Sequence, residues 1–517
     1  MIVYIPSAGQ GTRVKNYTKS LNKSLIKYED KAIISHIIDF YPKSYEFVIA
    51  LGHEGQKLKD YIELAHPNLK IKFYYVSDYS SKKSGLSLTI KEGLKYLNKS
   101  YIFHANDSYI KGKFTDLKIN KNKNTILVNK VKNYRDYRSV TIDNGRIINV
   151  HDKVKKKITN NKKRYSYLGI MYVCDYQIFR EIIEKSNKKN GEFNFIEKNK
   201  DIINAKVVND WIDFGSKNTL EKIIKKDPYL DKTNEEIFYY NNKVLKYDSD
   251  ANKIKNRISR SKCLKGIIPK EIKYKNNFLS YKFVKGKLLS QDYSKFKLFL
   301  KWSEKNLWKE IELQKKEKNI FQKDCKVFYK DKTYSRIKMY SNKLMKLDNI
   351  IKINDKEIPG IKYMLKKVKW DKISTGIASN NHGDLHGSNI VFNNKKFYLL
   401  DWRESFNNNV KYGDIYYDLA KIKHGLIVNH EYVQKDRFEI KVHKNIAKIK
   451  IKKNLTMNEA LIYYNKYIKI NNYSSYNVDF LTSLIFINIA PLHQGRYSDF
   501  LFLLGKYKLS QCIEKYG

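Results

Sequence analysis

Residues 5–14 read IPSAGQGTRV. A short apolar run ends here in two glycines, Gly9 and Gly11, and Thr12 and Arg13 follow at once. With only 22 glycines in 517 residues, such a pair directly after a strand-like segment is not background. Glycines at a strand end let backbone N–H groups approach a phosphate closely, and an adjoining helix N-terminus adds a potential that favours an anion. A G-x-G by itself also marks a plain strand-to-helix turn, so the surrounding chain has to decide.

Up to about residue 225 the chain alternates short apolar runs with helical patterns, as parallel α/β domains do. IVYIP, EFVIALG, KIKFYYV, SYIFHA and NTILVNKV read as strands, and AIISHIIDFY, GQKLKDYIELA and SLTIKEGLKYL as the helices between them. The polar stretch KKDPYLDKTNEEI, residues 225–237, holds one of only 7 prolines and reads as a boundary. Beyond it EIFYYNNKVLKY, GIIPKEIKYKN and FLSYKFVKGK alternate like a small antiparallel sheet, and after Leu289 long amphipathic helical patterns take over. Segments 1–227, 228–289 and 290–517 follow from this, in line with a length prior of roughly 100–200 residues per domain.

An apolar fraction of 42%, with 42 Tyr and 24 Phe, supports globular cores and excludes a fibrous or disordered chain. The formal charge of +49 is spread along the whole length among Asn, Ile and Tyr rather than gathered into an arm. Runs such as Lys155 to Lys157 read as solvated surface, so nucleic acid is not an expected partner, whereas nucleotides and phosphorylated metabolites are. Cys174, Cys263, Cys325 and Cys512 lie far apart with no C-x-x-C spacing, which fits a reducing cytoplasm. The longest apolar stretch, FLTSLIFINIAPL, falls short of the ~18 residues a membrane span needs. No transmembrane segment and no signal peptide are expected, and the oligomeric state is left open.

IPSAGQGTRV followed by LNKSLIKYEDKAIISHIID resembles the opening of sugar-phosphate nucleotidylyltransferases, G-x-G-T/S-R and then P-K, with Asn22 where that family has proline. The resemblance implies a Rossmann-like α/β domain with a mostly parallel mixed sheet. It implies that Gly9 and Gly11 admit the nucleotide phosphates, that Arg13 and Lys23 neutralise the triphosphate, and that Gly85 in KSGLSLTIKEGL borders the base. FHAND places Asp107, and NDWIDFGSKNTLEKI places Asp213, where the family carries carboxylates for Mg²⁺. HDKV puts Lys153 at the acceptor-phosphate lysine, with Asp152 and Val154 in place of the usual Glu and Pro, and YLGIMYV supplies Gly169 beside the acceptor. The chemistry, attack of a phosphate on the α-phosphorus of a nucleoside triphosphate, calls for such cations and a metal and for no protein nucleophile.

The second motif, NHGDLHGSNI at 381–390, has two histidines four apart, but the glycines at 383 and 387 disfavour the helix that would let them share zinc. Asp384 and Asn389 instead have the spacing of a kinase catalytic loop, in which the Asp takes a hydroxyl proton and the Asn holds Mg²⁺. Asp401, ending FYLL, would be the second metal carboxylate. With GDIYYDLAKI downstream, these motifs resemble the aminoglycoside phosphotransferase and choline kinase families, in which Asp418 would be structural. That resemblance implies an α+β two-lobed protein-kinase-like domain using ATP, with Lys246 of NKVLKY as a candidate phosphate-binding lysine. Trp402, Tyr416, Trp302 and Trp308 could wall a quaternary amine, and His493 and Arg496 could line the acceptor site.

Taken together, the two resemblances imply a bifunctional enzyme. It would phosphorylate a small alcohol such as choline or ethanolamine with ATP. It would then couple that phosphate to a second nucleoside triphosphate, CTP by family analogy, to give an activated head group for a surface polysaccharide. Three alternatives stay open: a sugar kinase joined to a sugar-phosphate nucleotidylyltransferase, a nucleotidylyltransferase with a non-catalytic kinase-like module, and an RNA-binding scaffold.

Overall fold

A computed structural model describes residues 1–17, 20–81, 84–153, 163–186, 191–224 and 234–517. Val154, the Lys155–Lys157 run and most of the expected boundary at 225–237 lie outside the described residues. The chain divides into two compact units: Met1–Lys225 with Glu236–Ser249 and Lys273–Ser280, and Lys226–Glu235 with Asp250–Ile272 and Tyr281–Gly517.

The first unit is built on a nine-stranded sheet. Its strands run in the order Ile71–Tyr75, Glu46–Leu51, Ile2–Ser7, Tyr101–His104, Arg164–Val173, Asn124–Asn129, Ile203–Val207, Arg146–His151, Ser139–Asp143. Ile2–Ser7 pairs in parallel with both neighbours, while Arg164–Val173 runs antiparallel to Tyr101–His104, so the sheet is mixed. Continuous apolar runs mark strands covered on both faces, and the side-chain period of two divides them. Val3 and Ile5 enter one core with the helices Ile33–Asp39 and Gly55–Ala65. Ile2 and Tyr4 enter the other, with Ile90 of Leu86–Gly93 and Phe179 of Tyr176–Lys185.

The segment expected as a separate small lobe, 228–289, is shared between the units. Its strands Glu235–Tyr240, Lys243–Asp248, Lys273–Lys275 and Phe278–Lys282 form one sheet. Phe238, Leu245, Tyr247 and Phe278 of that sheet join the first unit's core, and Phe238 packs edge-on against Tyr61 at 5.1 Å. Burial of these rings, rather than sequence proximity, assigns the strands to the first unit. Between them lies a helix that the strand-like reading passed over, Ala251–Cys263, whose first turn is capped by the Asp250 side chain.

The second unit is mainly helical. Ile415–Ile427, Ser475–Ile489 and Gly495–Tyr516 supply its core, and nearly every residue of Ser475–Ile489 is buried. This helix takes up the longest apolar stretch as protein interior. No helix among the described residues is long and apolar enough to cross a membrane. The stretch after the 381–390 loop, mostly helical in its pattern, also holds strands. Phe438–His443 and Ile446–Ile451 form an antiparallel hairpin, and Ile446–Ile451 pairs in parallel with Lys352–Ile353. Residues 438–451 alternate apolar and polar positions, which suits a half-exposed strand pair better than a helix.

Candidate active sites

In the first unit the loop after Ile2–Ser7 borders a cleft of about 540 Å³, the size of a small-molecule site. Gly9, Gly11, Arg13, Lys23, Gly85 and Asp107 all line it. Gly11 is left-handed at φ 65°, and its carbonyl accepts from Val14 N, which turns the chain sharply enough to bring Arg13 back over the cleft. Gly9 has open space where a Cβ would stand. Gly85 immediately precedes the helix Leu86–Gly93 on the far wall.

Lys23 is nearly buried, and its ammonium lies 2.5 Å from Asp107 Oδ2, with the Arg13 guanidinium at 3.9 Å from the same oxygen. Burial alone would push the Asp107 carboxyl up, but Lys23 and then Arg13 outweigh it and hold it below its ordinary value. Asn22, standing in place of the expected proline, fixes Lys23. Its amide donates to Ser7 O at 2.9 Å and to His53 O at 2.7 Å, and its oxygen accepts from Ser24 N at 2.9 Å. Three bonds from one buried amide tie the end of the central strand to the lysine turn, a role that the motif comparison had not given it.

Asp213 reaches the same place from a different strand. Trp211–Asp213 pairs with Ser108–Ile110, opposing Asp213 to Ser108, and Phe214 N donates to Asp107 O at 2.8 Å. A Cβ added to Gly215 would stand 2.6 Å from Asp107 Oδ2 and 2.8 Å from Asp213 Oδ1, so both carboxylates close over this glycine. Burial, and next the Asp107 charge, raise the Asp213 carboxyl. Two adjacent carboxylates, one of them raised by the other, fit a divalent cation, and Mg²⁺ characteristically takes one or two protein carboxylates and completes its shell from phosphates and water. Among the described residues no group of three or more His, Cys, Asp or Glu gathers as a closed metal site.

Gly215→Ala is expected to spread the two carboxylates. The variant should keep its melting temperature within a few degrees and lose most Mg²⁺-dependent turnover; unchanged turnover at every Mg²⁺ concentration would refute the shared site.

Lys153 also faces this cleft electrostatically. Burial lowers its ammonium, followed by repulsion from Arg13 and Arg138, with Asp136 and Asp213 opposing them. Gly169, at φ 73° in Arg164–Val173, accepts from Ala105 N at 2.8 Å, and a Cβ there would stand 2.7 Å from Ala105 Cβ. It therefore holds the strand end that carries Asp107. Deeper in the unit, burial raises the Glu192 carboxyl to about 7. The folded state then binds a proton that the unfolded chain releases near 4.5, so Glu192 lowers stability progressively as pH rises from about 4.5 to 7. Glu192→Gln should remove that penalty, raising stability by roughly 3 kcal/mol at pH 8 and scarcely at pH 4. Chemical denaturation at the two pH values checks this, and equal shifts at both would refute it.

In the second unit the 381–390 loop is held from below. Asp418 accepts from His382 N at 2.7 Å and Gly383 N at 2.6 Å, and also from Trp308 Nε1 at 3.3 Å. His382 Nε2 lies 2.8 Å from Leu400 O, and burial lowers this imidazole to about 4. Gly383 is left-handed at φ 82°, and a Cβ there would meet Arg403 Cβ at 2.6 Å.

These contacts present Asp384, whose side chain retains 33% exposure. Its Oδ1 lies 2.6 Å from Lys421 Nζ, and its Oδ2 lies 3.8 Å from His386 Nε2. Burial pushes this carboxyl up, yet Lys421 and then His386 bring it well below its ordinary range. Asn389 donates through Nδ2 to Asp384 O at 2.9 Å, which leaves its amide oxygen available. Leu400 N donates to Asn389 O at 2.8 Å, placing Asp401, at φ 55°, beside it. The Asp401 carboxylate lies 3.5 Å from the Arg257 guanidinium. An amide oxygen and a carboxylate at the end of one hairpin are a donor set that fits Mg²⁺ carrying nucleotide phosphates.

Lys246 is 3% exposed on Lys243–Asp248, a strand of the first unit. Of the aromatic residues considered for an amine wall, Trp402, Trp308 and Tyr416 are buried and Trp302 is half-buried. Trp402 is 1% exposed and donates to Arg257 O at 2.8 Å, Tyr416 OH accepts from Ser474 N, and Trp302 stacks on Phe299. Arg496 pairs with Asp436 at 2.6 Å, and His493 packs on Tyr497. Lys421 and Arg403 were missed in the sequence. Lys421 stands three residues beyond Asp418 in a helix, a spacing that carries no chemical signature until the helix is placed.

No protein-family model matches the chain. Over 163 residues, 30% of this chain and 71% of the relative, it is 27% identical to a D-glycero-α-D-manno-heptose 1-phosphate guanylyltransferase of Campylobacter jejuni. Among solved structures it is similar to the CTP:phosphocholine cytidylyltransferase of Streptococcus pneumoniae, at 14% identity and TM-score 0.36, over 43% of this chain and 96% of that one. It is also similar to the inositol-1-phosphate CTP transferase of T. maritima, at 11% identity and TM-score 0.34, over 42% and 91% of the two chains. The sequence likeness marks a nucleotidyltransferase-type domain in part of this chain.

Proposed function

We propose that the chain is a two-step transferase whose first unit moves a nucleotidyl group from a nucleoside triphosphate onto a small-molecule phosphate. The observation that carries this reading is the convergence of Lys23, Arg13 and Asp107 on one glycine-lined cleft, with Asp213 beside Asp107 over Gly215. An acceptor phosphate oxygen would attack the α-phosphorus, forming one P–O bond as the bond to the leaving pyrophosphate breaks. Lys23 and Arg13 neutralise charge spreading onto the phosphate oxygens, and Lys153 steers the incoming phosphate. Mg²⁺ held by Asp107 and Asp213 would supply further neutralisation of the triphosphate.

The second unit is proposed to make that phosphate, with Asp384 as the proton acceptor. A hydroxyl of the acceptor would give its proton to Asp384 as its oxygen bonds to the γ-phosphorus of ATP and ADP departs. Lys421 and His386 orient the carboxylate and keep it ionised. Asn389 and Asp401 would hold Mg²⁺, whose chemistry there is to neutralise the phosphate oxygens. Coupled in series, the steps turn a small alcohol, choline or ethanolamine in the first reading, into an activated nucleotide derivative suited to building a surface polysaccharide, with CTP the expected donor.

The likeness to a heptose-phosphate guanylyltransferase favours a second reading, a sugar acceptor with GTP. Phosphorus NMR of the full chain, given ATP and each of CTP, GTP, UTP and dTTP with candidate alcohols and phosphates, separates the two. Absence of pyrophosphate with every pair would sink both.

A further inference from the structure

Around Asp384 the second unit gathers more positive charge than its carboxylates balance. Lys332 of Lys332–Met339 sets its ammonium over the Phe328 ring at 4.0 Å and near the Tyr417 ring at 5.7 Å. Arg403 also lies over the Phe328 ring, 5.0 Å from its centroid. Arg336 follows Lys332 by one helical turn, and Lys421 follows Tyr417 by one turn, so each shares a face with its predecessor. Of the nearby carboxylates, Asp384 is bound to Lys421 at 2.6 Å and Glu404 lies 3.7 Å from Arg403, while Asp418 and Asp414 are buried beneath the loop and accept from His382 N and Tyr329 OH. Lys421 and Arg403 thus have carboxylate partners, as Arg257 has in Asp401 at 3.5 Å, whereas among the described residues no carboxylate pairs with Lys332 or Arg336. Burial lowers the Lys332 ammonium well below its ordinary value, and repulsion from Arg403, Arg336 and Lys421 lowers it further. Such a cluster is costly empty and is relieved by an anion.

Resting on the kinase reading above, we propose that the alcohol presented to Asp384 already carries an anionic group, a phosphate or a carboxylate, bound by Lys332, Arg336 and Arg403. A quaternary amine would meet like charge there, and Trp402 and Trp308 are buried away from it. In the transfer the acceptor hydroxyl oxygen bonds to the γ-phosphorus of ATP, the bond to the β-phosphate oxygen breaks to release ADP, and the hydroxyl proton passes to Asp384. The anionic group takes no part in bond making and only anchors the acceptor.

The test uses the full-length protein, ATP and Mg²⁺ with matched acceptors: glycerol, choline, glycerate and glycerol phosphate, then a hexose, its uronate and its phosphate. Transfer is read by phosphorus NMR and ADP release. Anionic members should be phosphorylated in preference to neutral and cationic ones. Uronate against phosphate distinguishes the two anions. Lys332→Met and Arg336→Gln should each raise the acceptor KM by about 10- to 100-fold, the size of a lost charge-assisted hydrogen bond, and leave the KM for ATP unchanged. Lys332→Arg should restore most of the loss, which a misfolded variant would not. Choline phosphorylated as well as the anions, or a rise in the ATP KM in place of the acceptor KM, would overturn the proposal. Should no acceptor be phosphorylated, inorganic phosphate titrated calorimetrically decides. Binding lost in Lys332→Met but kept in Asp384→Asn would leave the anion site standing and the kinase reading fallen, while binding indifferent to Lys332 would remove the anion site as well.

Discussion

Asp384→Asn is expected to lower ATP-dependent phosphorylation by about 10²- to 10⁴-fold, the range associated with removing a positioned proton acceptor. The asparagine keeps the size of the side chain and can still accept from Lys421, so the loop, pinned from below by Asp418, should stay in place. What disappears is the ionised oxygen that receives the hydroxyl proton. Because Lys421 and then His386 hold the carboxyl well below its ordinary value, the wild-type rate should show no acid limb from Asp384 in the ordinary carboxylate range. Nucleotidyl transfer by the first unit, supplied with a ready-made phosphate, should be unaltered. Acceptor-dependent ADP formation persisting at the wild-type rate in Asp384→Asn would take the proton-acceptor role away from this residue.

Lys23→Met should be the most damaging single change in the first unit, with a loss of about 10²- to 10³-fold in pyrophosphate release, as when one preorganised charge-stabilising donor is removed. Two effects combine there. The triphosphate loses a cation, and Asp107 loses the partner that offsets its burial, so its carboxyl rises. Lys23→Arg should recover part of the activity by restoring the charge with a different reach. Melting temperature and Mg²⁺ dependence should be measured alongside. If Lys23→Met releases pyrophosphate as fast as the parent with the same Mg²⁺ requirement, the cleft is not the site of nucleotidyl transfer. ATP-dependent phosphorylation should survive this change, the mirror image of the Asp384 result.

The contrast between legible and hidden features follows from the range of the interactions. GQGTR could be read as a sharp glycine turn because such a turn is local: the glycine at φ 65° and the arginine two residues on are set by a few consecutive dihedrals. The central strands could be read because burial on both faces writes a continuous apolar run. The helix Ala251–Cys263 was missed because its charged residues dilute its apolar stripe, and the hairpin at 438–451 because it lies in a stretch dominated by helical patterns. Asn22 looked like a defect in a motif until its three hydrogen bonds gave it the task of holding Lys23.

Residue types and spacing alone therefore determined two glycine-bearing loops, the order of their charged residues, and the α/β character of the first two fifths of the chain. Tertiary structure decided which groups meet. It closed Asp107 and Asp213 over Gly215 through pairing between strands about a hundred residues apart, and it drew the strands at 235–248 into the first unit by burying Phe238 and Leu245. It also set Lys332, Arg336, Arg403 and Lys421 around the 381–390 loop from three separate segments. Electrostatic energy depends on distances in space, and no periodicity along the chain encodes those distances.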